Sequence, residues 1–314
     1  MSANLGSESW FDPHGVEHVG PVLERIVGVT VVDCCVCGFA HVLPLPTPDE
    51  LARFYISEFY SEAKPIYIER NLEDKEWWDG VYTERFDSLE KILPENQRRL
   101  LDVGSGPGLF LDHGRRRGWS VKGLEPSSKA ARFSRDVLKL DVEELFLTPE
   151  NAGGLGTYDV VNLGEVLEHL VDPAAILNTA HGLLVEGGIL LLIVPNDFNA
   201  LQLILRRGLK LDPWWVGVQH LNYFSPNSLN TLVERNGFEV ISLETSFPLE
   251  FFQMMGLNYI GDDVVGRRIH GYRMELEKTF WNSGSVELKR KIYGALSGIG
   301  LGREIILFAR KVAR

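Results

Sequence analysis

Short apolar runs alternate with amphipathic segments from Arg99 onward. Arg99 to Val103, Ser120 to Glu125, Glu144 to Thr148, Tyr158 to Leu163 and Gly188 to Val194 read as strands. Helices fall between them, one starting at Pro173 behind Asp172. Ser225-Pro226 caps a further helix that ends near Gly237. Phe238 to Glu244 is a sixth strand, and the alternating Arg303 to Arg310 is a seventh. Strand and helix in regular alternation predict an α/β domain on a parallel sheet.

The flanks follow other patterns. Residues 1–46 read as irregular apart from the β-rich run Val27 to Asp33, which leads into Cys34-Cys35-Val36-Cys37-Gly38. A proline-rich turn, Pro44 to Pro48, closes this small module. Thr47-Pro48-Asp49-Glu50 is a helix start, and two or three aromatic-rich helices fill Pro48 to Leu93 as a cap over 47–98. Asp197 to Trp215 reads as an amphipathic helix whose Trp214 and Trp215 serve either as a lid or as packing anchors. Ser246 to Gly302 is too long for a simple connection, and we expect it to form a helical insertion covering the site. The central domain then spans 99–245 and is completed by 303–314.

Composition narrows the function. The 314 residues are 45% hydrophobic and 24% charged, a globular profile. With 43 acidic against 32 basic side chains, the net charge of −11 disfavours a broad surface for nucleic acid or anionic lipid. The apolar run Ile189 to Val194 is too short to cross a bilayer. The start of the chain lacks the pattern of a signal peptide, and all three cysteines lie in one cluster. A cytoplasmic location is expected.

Leu100 to Gly108 passes from a buried strand into a helix through Asp102, Gly104, Ser105, Gly106 and Gly108. Such a turn brings backbone N–H groups and a helix N-terminus close to a ligand. The spacing is G-x-G-x-G, and Leu109 stands where the dinucleotide fingerprint needs its third glycine. Glu125, ending the next strand, is placed to accept hydrogen bonds from ribose hydroxyls, which points to a nucleoside.

Together with Tyr158-Asp159-Val160-Val161 and Glu165-Val166-Leu167-Glu168-His169-Leu170, these motifs resemble the class I S-adenosylmethionine-dependent methyltransferases. Within that family they are similar to the ubiquinone-pathway and natural-product O-methyltransferases. The resemblance covers Arg99 to Glu244 plus the final strand. It implies a Rossmann-like, doubly wound seven-stranded sheet with an antiparallel last strand, and S-adenosyl-L-methionine as cofactor. It places Asp102 and the glycines on the methionine part, Glu125 on the ribose, and Glu150 or its neighbours in Thr148 to Asn151 at the adenine edge. Gly164 and Glu165 belong to the same set.

Glu165, Glu168 and His169 fall at i, i+3 and i+4, so on a helix they share one face. The arrangement resembles a divalent-ion motif of ubiquinone-pathway and small-RNA 2′-O-methyltransferases, and His220 is placed to complete it. Two routes stay open: an ion held by Glu165, Glu168, His169 and His220, or metal-free proton removal by His169 or His220.

Cys34-x-x-Cys37-Gly38 is half of a zinc knuckle, its glycine allowing two thiolates to meet one ion. Some relatives begin with a four-cysteine ribbon. Here His14 and His18 stand in place of the first pair, giving either a His14, His18, Cys34, Cys37 zinc site or a ribbon that has lost its metal.

The sequence is therefore read as a methyltransferase, with a sugar, polysaccharide-precursor or natural-product hydroxyl as acceptor. The rivals are a nucleic-acid or protein methyltransferase, for which Arg115-Arg116-Arg117 and Arg206-Arg207 are the basic clusters, and a non-catalytic cofactor-binding relative.

Overall fold

The computed structural model describes residues 5–12, 15–26, 28–47, 50, 66–211 and 220–313. The N-terminal segment is mostly strand, where the sequence suggested an irregular module. β1 (Ser7–Phe11), β2 (Glu17–Ile26), β3 (Val29–Asp33) and β4 (Ala40–Leu43) form consecutive antiparallel pairs. In β2 the inward positions His18, Gly20, Val22 and Glu24 recur every second residue, the period of a half-buried strand.

Two helices follow, α1 (Tyr67–Glu73) and α2 (Lys75–Ile92). The α/β body then runs β5 (Arg99–Val103), α3 (Leu109–Arg116), β6 (Ser120–Leu124), α4 (Ser128–Asp136), β7 (Val142–Glu143) and α5 (Pro149–Ala152). It continues with β8 (Tyr158–Gly164), a 3₁₀ turn (Leu167–His169), α6 (Pro173–Leu183), β9 (Leu184–Pro195) and α7 (Ala200–Leu209). The remaining elements are β10 (Asn222–Tyr223), α8 (Pro226–Arg235), β11 (Phe238–Thr245), α9 (Glu250–Met254), α10 (Asp263–Asn282), α11 (Val286–Gly298) and β12 (Glu304–Lys311).

The seven-stranded sheet has the order β11-β12-β9-β8-β5-β6-β7. β12 is antiparallel to both neighbours, while the β5, β6, β7, β8 and β9 pairings are parallel. Both faces are buried, which explains the unbroken apolar run of β9. Its Leu190, Leu192 and Val194 pack with Leu101, Val161 and Leu307 on one face, and Ile189, Leu191 and Ile193 with Leu100, Val160 and Phe308 on the other. The third strand is displaced from the expected Glu144 to Thr148. Only Val142 and Glu143 pair with β6, and Thr148 caps α5 through a capping box.

The N-terminal sheet is joined to this body. β10 adds to β4 as a fifth strand, with Asn222 opposite His41 and Tyr223 opposite Ala40. The α9–α11 insertion packs mainly on α2 and the β11 side: Trp77 Nε1 donates to Glu277 Oε2 at 2.7 Å, Lys278 pairs with Glu76 at 2.9 Å, and the Trp281 ring lies against Gly80. The helix start at Thr47 and Pro48 and the tryptophans Trp214 and Trp215 fall largely or wholly outside the described residues. Among the described residues no helix is long and apolar enough to cross a membrane.

Candidate active site

β5 and β8 are neighbours whose following helices lie on opposite faces, so a crevice opens beyond their carboxyl ends. Asp102 on β5 and Asn162 on β8 are register partners there, and the Asn162 amide donates to Asp102 Oδ1 at 2.6 Å. The chain then turns sharply. Gly104 has φ +71°, and a Cβ on it would fall 2.9 Å from Val166 Cγ2, so only glycine fits the loop against the β8 end. The Gly104 and Ser105 amides donate to the Leu124 carbonyl.

Glu125 holds the next part of the loop. Its Oε2 accepts from the Gly106 N–H and its Oε1 from the Ser127 N–H, each at 2.8 Å. Burial pushes the Glu125 carboxyl up to about 7, against the opposing pull of these two bonds. Asp102 is likewise pushed up to about 7 by burial, with the Asn162 hydrogen bond opposing and the nearby Glu125 charge adding to the rise.

A cavity of about 320 Å³ opens above the loop, within the size range of small-molecule sites. Its lining includes Glu125, Phe146, Glu165, His169 and His220, with Tyr67 and Trp78 from the preceding helices. A recess of about 120 Å³ adjoins it through Tyr67, Gly104 and Glu165, and is floored by Asp102, Ser105, Gly106 and Asn162. Burial, with Glu165 and Glu125 nearby, pushes the Tyr67 phenol up to about 12, so it faces the cavity as a neutral O–H.

The carboxylate and histidine cluster differs from the helical face expected. Glu165 follows β8 directly at φ +56°, with its N–H bonded to the Ile193 carbonyl, and the residues after it make a single 3₁₀ turn. Glu165 therefore does not join the cluster. Glu168, His169 and His220 do, their ligand atoms all lying within 4.8 Å of one another. His169 Nε2 is 3.5 Å from Glu168 Oε1, His220 Nδ1 is 3.8 Å from Asp197 Oδ2, and the two imidazole rings meet edge to face at 5.0 Å.

A family model described as a methyltransferase domain matches residues 77–243, just over half of the chain. The chain belongs to this methyltransferase-domain family. It is 31% identical over 144 residues to a ubiquinone biosynthesis O-methyltransferase of Ralstonia nicotianae, covering 41% of this chain and 60% of that one. A protein of the same name from Marinobacter nauticus is 32% identical over 133 residues, covering 36% of this chain and 54% of that one. The chain thus spans less than two thirds of the length of these relatives. The plantazolicin methyltransferase BamL, solved with a triazolic desmethylPZN analog and SAH, matches at a TM-score of 0.51 and 15% identity, over 83% of this chain and 94% of that one. At that identity the likeness is one of fold.

Within the methyltransferase domain, Asp102, Gly104, Ser105, Gly106, Glu125, Gly164, Glu165, His169 and His220 come together around one cleft. Gly108 sits behind the loop, at the start of α3 against Ser134 and Leu140. Glu150, expected at the adenine edge, is instead exposed on α5 and outside the lining, where Phe146 and Leu147 stand. Among the described residues the lining holds none of 246–302, so the insertion does not cover this cleft. It braces α2, whose Trp78 does line it. Tyr67, Trp78 and Asn162 were not picked out as site residues in the sequence; Asn162 was detectable as a polar side chain inside an otherwise apolar strand.

Proposed function

We propose that this chain is an S-adenosylmethionine-dependent methyltransferase that acts on a hydroxyl of a small acceptor. The observation that carries the reading is that Glu125 and the pair His169 and His220 line the same cavity. When bound, the cofactor supplies a methyl group activated by its positively charged sulfur. Asp102, in the recess, is placed to accept from an ammonium group. Glu125 has lone pairs left beyond those used by Gly106 and Ser127, enough for ribose hydroxyls. Phe146 and Leu147 offer the apolar edge for the base, in place of Glu150.

His169 or His220 would take the hydroxyl proton as the acceptor oxygen bonds the methyl carbon and the carbon–sulfur bond of the cofactor breaks; Glu168 lies 3.5 Å from the His169 ring and Asp197 3.8 Å from the His220 ring. A second reading rests on the same cluster: Glu168, His169 and His220 would hold a divalent ion that lowers the acceptor's pKa, since their ligand atoms lie within 4.8 Å.

The aromatic wall formed by Tyr67, Trp78 and Phe146 suits a planar phenol or a sugar ring. Nucleic acid is disfavoured because four of the five arginines in the basic clusters are engaged by carboxylates: Arg115 and Arg116 with Asp112, Arg117 with Asp87 and Glu90, and Arg206 with Glu24. Calorimetry with S-adenosylhomocysteine tests the cofactor, and its release on a panel of phenols, sugar nucleotides and oligonucleotides tests the acceptor. NADH binding in place of S-adenosylhomocysteine overturns the reading, and turnover with oligonucleotides alone overturns the acceptor class.

A further inference from the structure

We propose that His18, Cys34, Cys37 and His41 form a structural zinc site that ties the N-terminal sheet to the His220 side of the cleft. The site stands on its own geometry, independent of the methyl-transfer reading. His41 supplies the fourth donor in place of His14, which lies outside the described residues.

Four donors converge from three places: β2 gives His18, the turn after β3 gives Cys34 and Cys37, and β4 gives His41. Their ligand atoms all lie within 4.8 Å of one another, and His18, Cys34 and His41 are buried. A tetrahedral zinc with bonds of about 2.3 Å to sulfur and about 2.0 Å to nitrogen sets its donors roughly 3.3 to 3.8 Å apart. His18 Nδ1 is 3.1 Å from His41 Nε2, 3.4 Å from Cys37 Sγ and 4.0 Å from Cys34 Sγ. The set is therefore near coordination spacing.

The surroundings orient the donors as a metal requires. His41 Nδ1 donates to the Val42 carbonyl at 2.9 Å, which leaves Nε2 as a lone pair aimed at the cluster. The Asp12 carboxylate lies 3.8 Å from His18 Nε2, the ring nitrogen that does not face the cluster. His18 Nδ1 and His41 Nε2 face each other at 3.1 Å, close to the roughly 3.3 Å that two imidazole nitrogens take on one tetrahedral zinc. The cysteines sit in a knuckle: the Cys37 N–H points at Cys34 Sγ at 3.5 Å, and Gly38, at φ +80°, donates to the Cys34 carbonyl at 2.9 Å. Cys35 is exposed and outside the set. Two thiolates and two neutral imidazoles balance the charge of one zinc ion.

The tie to the cleft is continuous. His41 faces Asn222 in the β4–β10 pair, and the Val42 N–H donates to the Leu221 carbonyl at 2.9 Å. The Leu221 N–H donates to the Glu168 carbonyl at 2.7 Å, while the Asn222 side chain donates to the Leu167 and Leu170 carbonyls. The backbone next to His220 is thus clamped between the metal-bearing strand and the 3₁₀ turn that carries His169.

Elemental analysis of the full chain, purified without added metal, should give about one zinc per chain, kept in Cys35→Ser and His14→Ala and lost in His41→Ala and Cys37→Ser. Folded protein without zinc, or loss in His14→Ala with retention in His41→Ala, overturns the site. Should the ligand variants not fold, cobalt incorporated into the wild-type chain during expression gives the answer: thiolate-to-cobalt charge transfer with tetrahedral bands supports it, and a spectrum without thiolate bands overturns it. Hydrogen exchange then reads the tie. On zinc removal the Val42 and Leu221 amides should exchange at least tenfold faster while β5 and β8 keep their protection. Unchanged rates at Val42 and Leu221, or equal acceleration throughout, overturn the tie.

Discussion

The Asn162 amide and the Asp102 carboxylate meet at 2.6 Å across the parallel β5–β8 pair, at the point where the sheet opens. This bond is the main counterweight to a burial that raises Asp102 to about 7, as burial also raises Glu125. An unfolded chain titrates the same carboxyls near 4. Between about pH 4 and 7 these two carboxyls therefore hold more protons in the folded chain than in the unfolded one, and the stability they contribute should fall as pH rises through that window and level off above it. His113 and His270, held below the usual histidine range by burial, act in the opposite direction. Thermal melts of the ligand-free wild type and Asp102→Asn across pH 4.5 to 8 isolate the carboxyl contribution, which should shrink in the variant.

Ligand affinity should run the other way. An ammonium-bearing ligand binds the ionised carboxylates, so S-adenosylhomocysteine should bind roughly tenfold tighter at pH 8 than at pH 6 by calorimetry, the span expected for a group titrating near 7. Asn162→Ala removes the donor that opposes the rise of Asp102 and should shift this profile to higher pH. A flat profile in the wild type would show that neither carboxylate meets the ligand's charge.

Glu125 has a double task. Both its oxygens already accept from buried backbone N–H groups. Glu125→Ala should therefore weaken S-adenosylhomocysteine binding by about 1–3 kcal/mol and also lower stability by about 2 kcal/mol, since two donors in the loop lose their acceptor. Weakened binding with an unchanged melting temperature would assign Glu125 to the ligand alone.

What could be read in the sequence follows from where the decisive forces act. Buried strands such as Leu100–Val103 and Ile189–Val194 announce themselves because both sheet faces are apolar, and the glycine loop does so because its conformation demands glycine. β7 was misplaced because an edge strand with two paired residues leaves almost no periodic trace. In β2, Gly20 and Pro21 read as breakers although the inward positions alternate around them. The E-x-x-E-H run suggested a shared helical face, yet Glu165 directly follows β8, where its N–H is held by the Ile193 carbonyl of β9 and its backbone turns to φ +56°. His41 carried a usable signal in its position four residues after Cys37. Its approach to His18 is a product of β-pairing across the sheet, and no spacing along the chain reports that.

Gly80 marks where the insertion grips α2. A Cβ there would fall 2.4 Å from the Trp281 ring, whose Nε1 also donates to Glu84. Gly80→Ala gains about 1 kcal/mol of helix propensity, but overpacking a fixed indole costs about 1–3 kcal/mol. We expect net destabilisation, seen as a lower melting temperature, and Gly80→Ala combined with Trp281→Leu should recover much of it. A stabilised single variant would show that the indole moves freely.

Proton removal from the acceptor separates the two mechanisms at the cluster. A neutral imidazole takes a hydroxyl proton efficiently only as the methyl transfer proceeds, and such assistance is worth about 10²–10⁴-fold. An ion at Glu168, His169 and His220 would instead acidify the acceptor directly. Glu165 lies outside that set, so Glu165→Gln should leave the ion route intact as well and serves only to test whether this carboxylate touches the cofactor. The decision falls on chelation and on Glu168. In the metal-free route, turnover survives EDTA, with zinc at the N-terminal site verified as retained, and falls at least 100-fold in His169→Ala or His220→Ala. Glu168→Gln then costs less, because the carboxylate sits 3.5 Å behind the His169 ring and only stabilises its charge. Activity abolished by chelation, restored by Mg²⁺ or Mn²⁺, and lost equally in Glu168→Gln, His169→Ala and His220→Ala would assign the cluster to the ion. The edge-to-face meeting of the two imidazoles at 5.0 Å, with Glu168 3.5 Å from His169 and Asp197 3.8 Å from His220, serves either route, so the response to chelation and to Glu168→Gln decides between them.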